Sequence, residues 1–235
     1  NLIGDHTKAA TFVKETYGMV SDNTYVADDL AVTEKVLDGQ AELKNTVWVI
    51  FENGLGPVKE EFRVDLPLFV ATEKVKYIGF ALPKLEFRSQ AYPYLTVRAA
   101  DQTYNTQIVA NMDRVIQTEF SKDFKAILTR AIISTTAKAV AQYALDKQGD
   151  SRSKLASIVV AVYSFATTAA DVRIWTTLPK NFQVARLQIP DDRHIKIEPP
   201  GGAAFEVEIP SCNNALVYIR IPFAHAEPVY DLMTY

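Results

Sequence analysis

Ten consecutive residues, Glu52-Asn53-Gly54-Leu55-Gly56-Pro57-Val58-Lys59-Glu60-Glu61, form the chain's densest cluster of residue types that do chemistry. They follow an apolar run, Thr46 to Phe51, and loops held on rigid strands are where binding and catalytic groups concentrate. Gly54 and Gly56 would let backbone amides approach a ligand, and Lys59 with Glu60 could serve as an acid/base or ion-pair set. The glycine spacing fits neither a phosphate-binding loop nor a dinucleotide fingerprint. The structural alternative is a tight connection between strands in which the glycines only permit the turn. Asn53, Gly54, Gly56, Lys59, Glu60 and Glu61 are therefore the candidate partner- or ligand-contact residues.

A second patch is Asp171 with Arg173, next to Trp175. A carboxylate and a guanidinium could hold one substrate. The structural alternative is a capping aspartate, a surface arginine and a core tryptophan in a short helical turn, where residues two apart do not face each other. The three histidines, His6, His194 and His225, are far apart in sequence, and no metal-ligand spacing joins them. A Ser-His-Asp triad has no nucleophile-elbow motif to support it. Cys212, the single cysteine, reads as incidental rather than nucleophilic, and no cofactor is implied. Phe87, Tyr77, Tyr92, Tyr94 and Tyr104 could form a sugar-stacking face, although such aromatics more often pack in cores.

The elements that would carry these residues fall into segregated runs. His6–Tyr17 and Ala27–Asp38 have helical apolar spacing and are followed by Gly18 and Gly39 as stop signals. Strands are expected over 46–51, 62–68, 75–82, 94–98 and 104–109, with a hairpin at Ala100-Asp101-Gln102. Ile116 to Tyr143 carries a helical stripe that Ser121-Lys122-Asp123 could kink and that Gly149 and Asp150 would end. The uncharged stretch Leu155–Ala170 is shorter than the roughly 20 residues a membrane span needs, so it reads as a buried core helix capped by Ser153. Short strands return at 183–189, 194–197, 205–209 and 216–221, and Phe205/Val207/Ile209 alternate cleanly with Glu206/Glu208. This order predicts an α+β fold, a mainly antiparallel sheet or sandwich of about 8–9 strands packed by long central helices. Residues 1–44 read as a helical segment, the tail of an upstream helical region, and 45–235 as a single globular α+β domain.

The composition narrows the functional classes. The chain has 235 residues with 25 Lys+Arg against 28 Asp+Glu, a net charge of −3. Its basic residues are scattered, so neither nucleic acid nor an anionic membrane is an expected partner. Asn1 stands where an initiator methionine would, and no charged-then-apolar leader follows, as expected of a processed chain.

Four blocks stand out in combination: Val47-Trp48-Val49-Ile50-Phe51 running into the Glu52–Glu61 loop, Ile78-Gly79-Phe80-Ala81-Leu82-Pro83, Ile127-Leu128-Thr129-Arg130-Ala131-Ile132, and Ala170-Asp171-Val172-Arg173-Ile174-Trp175-Thr176-Thr177-Leu178-Pro179. Together they resemble an uncharacterised family of Gram-negative envelope proteins, predicted lipoproteins with a tetratricopeptide-like region ahead of the globular part. The resemblance implies a periplasm-facing protein of the outer membrane, held by a lipid anchor outside this chain, and a role in envelope assembly, since family members are often encoded beside lipoproteins similar to penicillin-binding-protein activators. It carries no catalytic residues. The leading expectation is a non-enzymatic protein–protein interaction or assembly module of the envelope. The alternatives are a carbohydrate- or peptidoglycan-binding domain and a hydrolase built around Glu60, Asp171 or His194.

Overall fold

Alternating burial decides the centre of the fold. In β1 (Thr46–Asn53) the odd-numbered Val47, Val49 and Phe51 are fully buried. The computed structural model describes residues 5–43, 45–67, 75–147 and 151–235, and among them it shows four helices and eleven strands. The fold is α+β with sheets that are antiparallel except for one pairing. Leu68, Gly149 and Asp150, which mark ends of expected elements, lie outside the described residues.

The chain divides into two compact units. The first comprises Asn1–Gly56, Arg88–Arg114 and Thr176–Tyr235, and the second Pro57–Phe87 and Val115–Trp175. Residues 45–235, expected as one domain, are thus shared between units, and the helical start belongs to the first.

In the first unit β1 lies between β7 (Asn181–Gln188), antiparallel, and β10 (Asn214–Ile221), parallel. The edges are β6 (Gln107–Asn111) and β11 (Val229–Thr234). A second sheet has the order β5 (Gln102–Asn105), β4 (Thr96–Ala99), β8 (His194–Glu198), β9 (Phe205–Glu208). The two inner faces share one core, with Phe51, Val217 and Ile219 from one sheet and Val97, Ile195, Ile197 and Val207 from the other. The Phe205–Glu208 alternation does what its sequence predicts, burying Val207 and leaving the glutamates wet.

Helices α1 (His6–Met19) and α2 (Thr24–Leu37) pack on each other, and α2 lies on β6 and β7. Asn23 caps α2 through Tyr25 N and Val26 N, and its amide also donates to Ile108 O at 3.0 Å. Asp29 accepts from Trp48 Nε1 at 3.2 Å and pairs with Arg186 at 3.1 Å. The even-numbered face of β1 is therefore covered as well, which accounts for its uninterrupted apolar run. Gly39, at φ +69°, ends α2 in a Schellman turn: Gln40 N donates to Lys35 O and Gly39 N to Val36 O. Gly18 does not stop α1, which continues to Met19.

The second unit is a hairpin, β2 (Val58–Pro67) against β3 (Tyr77–Glu86), with α3 (Met112–Lys147) and α4 (Ser151–Thr167). The long helices pack against this hairpin. Pro83 does not end its strand, because β2 and β3 form a two-stranded sheet whose outer edges need no ladder donor. Gly79 is required by a close approach: a Cβ there would fall on the Tyr77 hydroxyl, which donates to Asp65 across the hairpin. The 36-residue α3 runs unbroken through Ser121-Lys122-Asp123. Its only fully buried side chain, Gln142, accepts from Lys76 N and Tyr77 N and donates to Tyr77 O.

Helix α4 overturns its expected role as a buried core helix. It buries Ser153, Ser157 and Ser164 and turns Leu155, Ile158, Val159, Val162 and Tyr163 outward. Small residues recur at three- and four-residue spacing on the inner face, and that is the face pressed on the hairpin. Ser153 is accordingly an inward residue of the first turn, not a cap. The expected helical turn at 171–176 is absent, and Trp175, expected in the core, is 69% exposed.

Candidate functional site

The loop after β1 holds the first unit together. Asn53 is 0% exposed. Its Oδ1 accepts from Ala91 N and Tyr92 N, both at 3.1 Å, and its Nδ2 donates to Tyr92 O at 2.7 Å and Asn181 Oδ1 at 3.2 Å. Both donors and both acceptor sites of the amide are used within the chain. Gly54 sits at φ +66°, and a Cβ there would come within 3.1 Å of Gln90 Cα. Gly56 N donates to Leu178 O, and Gly56 O accepts from Arg88 Nε at 2.5 Å. Arg88 also donates to Thr176 O, while Lys180 bonds Arg88 O and pairs with Asp113. The chain passes between the units at 56/57, 87/88, 114/115 and 175/176, and Gly56, Arg88 and Thr176 join three of those passages. Asn53, Gly54 and Gly56 are therefore a structural clasp, and Asn53 offers no surface to a partner.

Lys59, Glu60 and Glu61 lie on β2 in the second unit. Strand alternation puts Lys59 and Glu60 on opposite faces, so they do not form the expected acid/base set. Glu60 is exposed, opposite Lys84 in the hairpin register. Glu61 accepts from Ala170 N at 2.6 Å, and Arg63 donates to Phe165 O and Thr168 O while lying 4.7 Å over the Phe165 ring. Two β2 side chains thus hold the C-terminal end of α4, where a cation also complements the helix dipole.

Asp171 and Arg173 are brought together. Outside a helix they form a two-bond ion pair, with Oδ2 to Nη2 at 2.7 Å and Oδ1 to Nε at 2.9 Å. Those bonds hold the Asp171 carboxyl well below the usual carboxylate range, with the Lys59 charge a smaller contribution. The patch is an exposed local pair whose hydrogen bonds are made to itself.

Between β2–β3, α3 and the end of α4, the second unit has a cleft of about 560 Å³ that sequence reasoning did not foresee. Lys59, Asp123, Arg130, Lys138 and Asp171 supply its charge. Burial, followed by repulsion from Arg63, pulls the Lys138 pKa down. Its threonine hydroxyls are engaged: Thr135 donates to Gly79 O, Thr167 to Tyr163 O and Thr168 to Ser164 O. The cleft contains neither Glu60 nor His194, so it does not assemble the expected hydrolase residues. Among the described residues no group of three His, Cys, Asp or Glu is placed to hold a metal ion.

Of the five aromatics read as a stacking face, Tyr77 and Tyr92 are buried and Tyr104 packs on the core, leaving Phe87 and Tyr94 exposed. The feature that sequence reasoning missed is the outer face of α4. Val159 is 67% exposed and Leu155 65%, against 0% for Ser157 on the inner face. Periodicity alone does not reveal it, because a helix with one serine face and one apolar face reads as apolar-in. No family model, curated protein or solved structure matches the chain.

Proposed function

We propose that the chain is a non-enzymatic protein–protein assembly module whose contact surface is the outer face of α4. One observation carries this reading: α4 buries its serines and leaves its largest apolar side chains in water. Contiguous exposed apolar surface of this kind marks interaction sites in folded proteins. Within the second unit the buried apolar side chains among the described residues are Pro57, Tyr77, Ala81 and Pro83, with no Val, Leu, Ile or Phe among them, so the unit gains stability when that face is covered. This face is preferred to the Asn53–Glu61 loop as the contact because Asn53, Gly54, Gly56 and Glu61 bond within the chain.

The envelope setting, with a lipid anchor outside this chain and a partner in the periplasm, rests on the sequence blocks quoted above. A photo-crosslinking residue placed at Val162 of α4, and separately at the wet Glu206 of β9, tests the proposal in intact envelopes. A discrete protein adduct at 162 and none at 206 is the expected result. Equal labelling at both positions, or none at either, defeats it.

A further inference from the structure

The assembly face also carries information about its occupant: we propose that it takes a second copy of this chain, with two α4 helices packed antiparallel about a two-fold axis. The inference rests on the assembly reading above and adds the partner's identity and the register.

Spacing is the first argument. Leu155, Val159, Val162 and Ala166 recur at intervals of four, three and four on the outward side of α4, the stripe with which one helix packs along another. Ile158 and Tyr163 flank it. A two-fold axis between the levels of Val159 and Val162 sets Val159 against Val162 of the second copy, and Leu155 against its Ala166. The match of large to small makes the face complementary to itself, as a two-fold contact requires.

The second argument is area. Leu155, Ile158, Val159, Val162, Tyr163 and the open side of Phe165 are each 47–67% exposed. Together they present on the order of 600 Å² of apolar surface, and two such faces remove about 1,200 Å² from water, the lower end of the range for a specific interface.

Charge supplies the third. The only charged residues of α4 are Arg152 and Lys154, both in its first turn. They lie at the positive end of their own helix dipole, where cations are disfavoured. A parallel copy would place the two like-charged pairs together, whereas an antiparallel copy keeps them at opposite ends of the helix pair. A transmembrane role does not compete, since no helix among the described residues is long and apolar enough to cross a membrane.

Sedimentation of the full chain tests the proposal, with far-UV circular dichroism confirming the fold of each variant. The chain should dimerise with a dissociation constant on the order of micromolar, and Val159→Asp should weaken the dimer by roughly 100-fold, as expected at a buried interface centre. In a Cys212→Ser background, Leu155→Cys and Ala166→Cys chains mixed under mild oxidation should form a disulfide-linked heterodimer several-fold more than either alone. A folded chain that stays monomeric at about a hundred times that concentration overturns the proposal. So does a dimer indifferent to Val159→Asp, or cross-linking no greater in the mixture. So too does a monomer that floats with phosphatidylcholine–phosphatidylglycerol vesicles and is released from them by Val159→Asp. If the chain is monomeric but a different protein is cross-linked at Val162 and lost in Val159→Asp, only the second copy falls and the assembly reading stands. If nothing is cross-linked there either, both fall.

Discussion

Ile219 of β10 and Val159 of α4 are equally at home in a core, yet the first is fully buried and the second two-thirds open. In the first unit two sheets turn their apolar alternation toward each other, and burial of each large aliphatic side chain contributes about 1.5–3 kcal/mol relative to exposure. In the second unit a two-stranded hairpin offers too little surface to cover two long helices, and the helix that packs on it does so through small polar residues. The first unit encloses its large aliphatic side chains. The second holds its parts by directed bonds from Glu61, Arg63 and Gln142 and leaves the apolar face of α4 exposed.

The sharpest way to break this comparison is to cut the same kind of atom from each unit. Phe51→Ala should cost about 3–5 kcal/mol in urea unfolding, whereas Val162→Ala should change the monomer's stability by no more than about 0.5 kcal/mol. Similar losses in both would mean that α4 is buried after all. Next in size is Asn53→Ala, which strands the Ala91 and Tyr92 amides and the Tyr92 carbonyl. A drop of about 3 kcal/mol is expected, read as an earlier midpoint of Trp48 fluorescence in a Trp175→Phe background. Ser157→Leu probes the inner face of α4: overpacking at this fully buried position, beside Asp146 of α3, should cost about 1–3 kcal/mol and lower the calorimetric midpoint. On the same face the Ser164 hydroxyl is buried without a hydrogen-bond partner among the described residues. Ser164→Ala should therefore be neutral or stabilise by up to about 1 kcal/mol, and a clear loss would reveal a bond there.

The smallest effect is in pH, and its sign differs between the units. The Tyr77 hydroxyl holds Asp65 below its ordinary 3.8, and Arg173 does the same for Asp171. Their contribution to the second unit is complete above pH 3.8 and is lost as pH falls through the lowered values. Asp29 is raised above 3.8 by burial, which outweighs the Arg186 and Trp48 contacts that lower it. Docking of α2 on β1 and β7 therefore strengthens as pH falls through the raised value and weakens as it rises. Titration midpoints read from carboxyl carbon NMR shifts should lie below 3.8 for Asp65 and Asp171 and above it for Asp29, and midpoints on the same side would refute the contrast.

What could be read from the sequence tracks how strongly burial alternates. The two-residue spacing of Phe205, Val207 and Ile209 was legible because Glu206 and Glu208 mark the wet face. The edge strand β11 was not: none of its six residues is buried and only Leu232 falls short of exposed, so Val229–Thr234 carries no clear two-residue pattern. The turn chemistry at Gly39 and at Ala100-Asp101-Gln102 was correct because local backbone demands fix it. The Asn53–Glu61 loop stood out by composition, but composition does not separate a clasp from a contact, since both use glycine and polar groups. Helix α4 was misread for a physical reason: serine is small enough to pack inward, and hydropathy takes no account of that.

The clasp has a chemical consequence as well. Asn-Gly is the dipeptide most prone to deamidation, in which the glycine nitrogen attacks the asparagine side-chain carbonyl and expels ammonia to close a succinimide, which water then opens. Here the Gly54 amide donates to Ile221 O at 2.9 Å and the Asn53 carboxamide is anchored on both sides, so neither atom can swing to the other. Isoaspartate at position 53 would accumulate only in molecules whose first unit has opened, making the modification a chemical clock of unfolding written into the chain.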